Sequence, residues 1–172
     1  EGGKNSKGRA MQNLINIEQD DKVKAFLVTQ DLKDEEYINN HYVIMATKKG
    51  QVKKTSLEQY SRPRTNGINA ITIREGDELL EAKLTSGDSQ VMLALKSGKS
   101  IRFEEAKTRP MGRTASGVRG ITLGHENDEV IGMVAVNDMD SNILVVSAKG
   151  YGKRSKLEDY RITNRGGKGV KT

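Results

Sequence analysis

The residues best equipped for chemistry in this chain are arginines and lysines, and their chemistry is pairing with oxyanions rather than breaking bonds. They fall into two recurring sets. One set follows apolar runs that end in glycine: Lys53 and Lys54, then Arg102, then Lys153 and Arg154. The other lies in loops that lead to a second glycine: Arg62 and Arg64, then Arg109 and Arg113, then Arg161, Arg165 and Lys168. A guanidinium presents a planar fork that holds two oxygens of a phosphate, and a lysine adds a point charge. Glycines beside them let backbone N–H groups approach the same anion. Recurrence carries the argument, because a lone basic residue on a strand is explained equally well by solvation.

Little else in the sequence supports covalent chemistry. There is no cysteine, which removes disulfides, thiolate nucleophiles and cysteine-ligated zinc. His41 and His125 lie in polar stretches and read as solvated loop residues rather than as bases or metal ligands. Gly98-Lys-Ser100 imitates the end of a phosphate-binding P-loop, but that motif needs a glycine at position 93, where this chain has Leu. Asn137-Asp-Met-Asp-Ser141 lacks the full calcium-loop pattern. Tyr42, Tyr60 and Tyr160 fall at strand starts or ends and read as packing residues. The residues therefore imply no catalytic group, no metal and no cofactor, and they argue against a hydrolase or lectin-type propeller with a central site.

A repeat of about fifty residues positions the basic sets. Tyr42–Gly50, Gln90–Gly98 and Asn142–Gly150 are apolar runs that end in polar residues and glycine, and the glycines are 48 and 52 residues apart. A second strand-like stretch follows each, which is a β-hairpin signature, with glycine taking the positive φ of the turn. Gly67, Gly117 and Gly169 then close each loop, and Gly8 reads as the same point of a preceding, truncated unit. Strands are expected next at 68–73 and 118–123, then acidic turns at 75–78 and 126–129, then closing runs at 79–84 and 130–136. Residues 14–17, 20–21 and 23–28 repeat this second half, and 29–41 read as a polar loop.

Each unit thus offers about four short strands, the content of a propeller blade, and such blades must stack to bury their faces. The expected organisation is all-β: the end of one blade with its connecting loop over 1–41, blades over 42–89 and 90–141, and a partial blade over 142–172. That makes about three blades. A composition with 34% hydrophobic but only 4% aromatic residues suits thin strands of Val, Ile, Leu and Ala.

Lysines and arginines number 29 against 23 acidic residues, giving +6. Stacked around an axis, equivalent loops would form one basic rim, with the acidic turns away from it. A rim of this kind can follow a phosphate backbone and bind it through counterion release. Nothing resembles a recognition helix, so backbone contact and bending with little sequence preference are expected. No run approaches membrane-spanning length. The first residue is Glu1, so the chain reads as a piece of a longer protein. The lack of cysteine fits a reducing cytoplasm.

Lys48–Thr55, Gly117–Gly124 and Gly150–Ser155 resemble the blade motifs of the DNA gyrase A C-terminal domain. The resemblance runs over essentially the whole chain. It implies a β-pinwheel whose blades exchange strands, with duplex DNA wrapped on the rim in support of ATP-dependent negative supercoiling by a cytoplasmic type II topoisomerase. The implied partners are double-stranded DNA, the remainder of the gyrase A protein and the gyrase B protein in a heterotetramer. ATP hydrolysis and DNA cleavage would belong elsewhere in the enzyme. The family's diagnostic box is Gln-Arg-Arg-Gly-Gly-Lys-Gly; Arg165–Gly169 matches its last five places, but in the last unit of this chain and after Thr163-Asn164. The equivalent domain of the topoisomerase IV A protein and a protein-binding propeller with an acidic partner stand as alternatives.

Overall fold

A computed structural model describes residues 3–10, 13, 15, 17, 18 and 20–172. It is a stack of antiparallel sheets. Three hairpins form where the glycine-ended runs lie: β1 (Tyr42–Thr47) with β2 (Gln51–Ser56), β4 (Gln90–Leu95) with β5 (Lys99–Glu104), and β8 (Asn142–Val146) with β9 (Gly152–Lys156). Gly50, Gly98 and Gly150 turn them at φ of 84°, 79° and 82°, the left-handed conformation glycine adopts without a Cβ clash. The closing runs become β3 (Leu79–Thr85) on the outside of β1 and β7 (Val130–Val136) on the outside of β4.

The fourth strand of each complete sheet comes from the next unit. β6 (Val118–Arg119) pairs with β2, giving the order β3-β1-β2-β6. β10 (Val170–Lys171) pairs with β5, giving β10-β5-β4-β7. Gly117 and Gly169 stand just before these exchanged strands, and each explains itself by a close approach. A Cβ on Gly117 would lie 2.6 Å from the Val52 carbonyl oxygen, and one on Gly169 would lie 2.6 Å from that of Ser100. Both glycines have positive φ.

Strand alternation sorts the core. Ile44, Ala46 and Val52 of the first sheet face Val91, Leu93, Leu95, Ile101 and Phe103 of the second, and Ile121, Val130 and Met133 complete this cluster. The opposite face of the first sheet (Val43, Met45, Ala82) packs against Ile38 and Leu57. The second sheet turns its other face toward the third hairpin. That hairpin has no further strand among the described residues, and Leu144 and Val146 are 67% and 59% exposed where the matching Ile44 and Ala46 are 0%.

Four expectations are corrected. Residues 29–41 include a helix, α1 (Glu35–Asn40), because Asp34 caps it by accepting from the Tyr37 N–H at 3.1 Å and two glutamates occupy its first turn. His41 closes its other end: its Nδ1 lies 2.7 Å from the Tyr37 carbonyl, which can only accept, so Nδ1 carries a proton. Residues 68–73 form no strand, because the partner that β2 and β5 offer to later units has no counterpart before them among the described residues. Of 118–123 only the first two residues join a ladder. Residues 23–28 also form no strand, with Phe26 and Val28 largely exposed; Leu14 and Asn16, within the run expected at 14–17, lie outside the described residues.

Candidate nucleic-acid interface

The structure separates the basic residues into three groups. The first is interior. Lys53, Lys54 and Arg102 are only 1%, 4% and 7% exposed, so they are not at the surface where phosphate contacts were expected. A blade strand is covered on both faces, so successive residues of β2 and β5 are buried whichever way they point. Lys53 Nζ donates to the carbonyls of Ala70 and Arg113. Burial, aided by the charge of Arg113, lowers its pKa to about 8.

Lys54 and Arg102 occupy the same place, four residues after their hairpin glycines, and each reaches into the next unit. Lys54 pairs with Glu105 Oε1 at 2.9 Å and lies 4.1 Å above the Tyr42 ring. The carboxylate of Glu105 also accepts from the Thr85 hydroxyl at 2.8 Å and the Ser89 N–H at 3.1 Å. Arg102 instead donates to the backbone carbonyls of Leu157 and Tyr160 at 2.6 and 2.8 Å, and to Gln90 Oε1 at 2.5 Å. These side chains fasten unit to unit.

Arg113 and Arg165 form the second group. They are half-buried and donate to backbone carbonyls of neighbouring segments. The third group is exposed: Arg62, Arg64, Arg109, Lys153, Arg154, Arg161 and Lys168. Arg109 and Arg161 stand at equivalent places, each one residue before a segment that runs parallel to the preceding unit's hairpin, through Lys54 with Pro110 and Arg102 with Ile162. Arg62, Arg64, Arg109, Arg161 and Lys168 thus sit on the loops that follow the hairpins, while Lys153 and Arg154 lie on β9.

Beside Arg161 the loop 160–170 and β5 enclose a cleft of about 310 Å³, lined also by Thr163, Asn164, Gly167 and Lys168. It combines two exposed cations, amide and hydroxyl side chains and a glycine backbone, a donor set suited to a phosphodiester. Thr163 and Asn164 were not singled out by sequence, since neutral polar loop residues carry no signal of their own. A second, wider cleft is lined by Lys49, Arg74 and Arg119 but also by Glu75 and Asp77, so its charge is mixed.

The acidic turns serve structure and lie against the hairpin turns. Asp77 accepts from the Lys49 N–H at 2.9 Å, and Asp128 accepts from the Ser97 N–H at 3.0 Å and its hydroxyl at 2.7 Å. Burial works to raise the Asp128 pKa. Hydrogen bonds from the Ser97 hydroxyl and the N–H groups of Gly124, Ser97 and Glu129 outweigh it and leave the group below the ordinary carboxylate value. Among the described residues no cluster of three His, Asp or Glu could hold a metal ion, and no helix is long and apolar enough to cross a membrane.

Comparison with known proteins follows the same repeat. Against the DNA gyrase A protein of Staphylococcus aureus (strain NCTC 8325 / PS 47), the chain is 44% identical over 168 residues, which is 97% of the chain and 18% of the relative. A solved C-terminal domain of DNA topoisomerase IV superposes with a TM-score of 0.84 at 27% identity, over 95% of this chain and 49% of that one. A DNA gyrase A C-terminal domain gives 0.82 at 23% identity, over 96% and 53%, a likeness of fold. The family model described as DNA gyrase C-terminal domain, beta-propeller, matches 41–86, 91–137 and 141–172. Those three matches begin within a residue of the three hairpins that the glycine spacing marks out, and they establish that the chain belongs to the DNA gyrase A C-terminal domain family.

Proposed function

We propose that this chain binds duplex DNA along its exposed inter-unit loops and bends it without reading its sequence. One observation carries the proposal: after the interior cations are set aside, exposed cations recur in the loop after each hairpin (Arg62 and Arg64, then Arg109, then Arg161 and Lys168), and the last of these loops lines a cationic, glycine-containing cleft. A backbone that follows these loop cations from one unit to the next bends over the stack. Affinity comes from counterion release at Arg62, Arg64, Arg109, Arg161, Lys168, Lys153 and Arg154.

The gyrase A relatives extend the reading. The chain acts as the DNA-wrapping part of an ATP-hydrolysing type II topoisomerase in the cytoplasm. It works with the remainder of the gyrase A protein and with the gyrase B protein, supports negative supercoiling, and contributes no catalytic residue or cofactor of its own. The superposition on a topoisomerase IV domain favours a second reading, the same role in that enzyme.

The test is duplex binding across a salt series with two unrelated sequences. Equal affinities and a log–log slope of about −0.9 per phosphate contacted, falling by about one contact each in Arg161→Gln and Lys168→Gln, are expected. No binding at low salt by the folded chain would refute the reading and favour an acidic protein partner for the rim.

A further inference from the structure

The two junctions between units repeat a set of bonds residue for residue. Arg113 and Arg165 each stand fifteen residues after a hairpin glycine. Arg113 donates from a terminal guanidinium nitrogen to the carbonyl of Asn69 at 3.1 Å, and Arg165 donates in the same way to that of Arg119 at 3.1 Å. Both acceptors lie two residues after the preceding unit's second glycine. A threonine returns the grip. Thr72 donates its hydroxyl to the Thr114 carbonyl at 2.6 Å and its N–H to that of Ala115 at 3.4 Å. Thr122 donates its hydroxyl to the Gly166 carbonyl at 2.7 Å and its N–H to that of Gly167 at 2.8 Å.

Each junction carries further bonds of its own: at the first, the Arg113 N–H donates to Gln59 Oε1 at 3.0 Å. Arg165 Nε also donates to the Lys107 carbonyl at 3.0 Å, and the Gly166 N–H donates to that of Gly120 at 2.6 Å. Arg165 thus spans three segments at once. Its fork is turned inward onto carbonyls, while Lys168, three residues on, is exposed at the mouth of the cleft.

We infer that Arg113 and Arg165 are positioning residues, each forming with Thr72 or Thr122 a latch that fixes the basic loop of one unit against the unit before it. They set where the neighbouring exposed cations stand, and they do not themselves contact phosphate. This assigns Arg165 of the Arg-Gly-Gly-Lys-Gly segment to loop geometry and leaves Lys168 as its anion-facing charge. The DNA part of the inference rests on the proposed function; the latch itself does not.

The experiment compares Arg165→Lys, Arg165→Gln and Lys168→Gln in the full chain, read by amide hydrogen exchange and by DNA binding across a salt series. A latch needs the fork, so Lys and Gln at 165 should behave alike. Exchange at the Thr122 and Gly166 amides should quicken by roughly tenfold or more in both, while the Thr72 amide at the other junction keeps its wild-type rate. DNA affinity should fall equally in both, and adding Lys168→Gln to Arg165→Lys should cost nothing further, because Lys168 has already lost its place.

Wild-type affinity and slope in Arg165→Lys, with loss only in Arg165→Gln, would make Arg165 a phosphate contact and overturn the inference. Unchanged exchange at Thr122 and Gly166 would overturn it too. If the wild-type chain binds no DNA, the functional reading falls and the exchange rates alone decide the latch. Thr122→Val removes one bond and keeps the side-chain shape, so it gives the same signature at the Gly166 amide even if the arginine variants fail to fold.

Discussion

Glu105 is a carboxylate with no solvent exposure, at a place that the flanking units fill with leucine. Leu57 and Leu157 stand seven residues after their hairpin glycines, as Glu105 does, and are also buried. Glu105→Leu therefore introduces a side chain whose shape the fold accepts twice already, and its cost isolates the electrostatics. Lys54 would keep a buried charge with the Gly87 carbonyl at 3.4 Å and the Tyr42 ring as its close company, and with the exposed Asp88 carboxylate as a weaker, solvent-screened attraction. Breaking one partner of such a pair costs about 3–5 kcal/mol. The Ser89 N–H also loses its carboxylate acceptor, a further penalty of about 1–3 kcal/mol. Removing the charge as well, in Lys54→Met with Glu105→Leu, relieves the first cost and leaves the second.

Urea unfolding should accordingly place Glu105→Leu roughly 4 kcal/mol or more below wild type and the double variant within about 1–3 kcal/mol of it. The double-mutant cycle should return a coupling of at least about 2 kcal/mol. Because Lys54 fastens units rather than meeting phosphate, the double variant should keep the wild-type salt slope for DNA. A Glu105→Leu variant within about 1 kcal/mol of wild type, or a slope that falls by about one contact (~0.9) when Lys54 is removed, would refute the assignment of Lys54 to the junction.

Three further perturbations read other parts of the frame. Gly117→Ala and Gly169→Ala drive a Cβ to 2.6 Å from a backbone oxygen and should lower stability by about 2 kcal/mol or more, while Gly67→Ala, which meets nothing within 4 Å, should show only the left-handed strain of about 1–2 kcal/mol; equal losses at all three would contradict the close-approach account. Lys53 binds its proton less tightly folded than unfolded, with a pKa of about 8 against 10.5, so it disfavours folding below pH 8. That handicap should lift between about pH 8 and 10.5, and the rise should disappear from the stability profile of Lys53→Met. Asp128 has a depressed folded pKa, so its stabilisation is present above the unfolded value and lost as pH falls through the folded one. Wild type minus Asp128→Asn should show that loss in acid unfolding, and parallel profiles would remove the carboxylate from the hairpin turn.

What was legible in the sequence is what local physics decides. The three hairpins appear where apolar runs meet glycine, and the turn glycines have the positive φ that the reading required. The closing runs begin at Leu79 and Val130 as expected, because alternation and an acidic turn bound them. The exchanged strands were legible only as the position of a glycine, since a two-residue ladder has no periodicity. Helix α1 was missed because its six residues are held by one aspartate cap and by packing of Ile38, not by a long apolar stripe. The basic residues divided for a reason no local pattern contains. Lys54 and Lys153 look alike in sequence, yet one lies under the next unit's Glu105 and the other on a two-stranded hairpin open to solvent.

That division bears on how the surface and the frame relate. At the second junction the cations of the frame land on backbone carbonyls: Arg102 on Leu157 and Tyr160, Arg165 on Lys107 and Arg119. A carbonyl is present whatever residue carries it, so these fasteners constrain the donor and leave the acceptor's side chain free. Lys107 and Arg119 are both exposed, and each can contribute its charge to the surface while its backbone is in use beneath. The first junction differs in two places: Lys54 meets a carboxylate instead of a carbonyl, and Lys53, which also lands on carbonyls, stands where the second junction has Ile101. It follows that neutralising Arg119 (Arg119→Gln) should leave exchange at the Thr122 amide unchanged, whereas neutralising Glu105 should loosen the first junction. A surface built over backbone acceptors can gain or lose charge without loosening the bonds between the units beneath it.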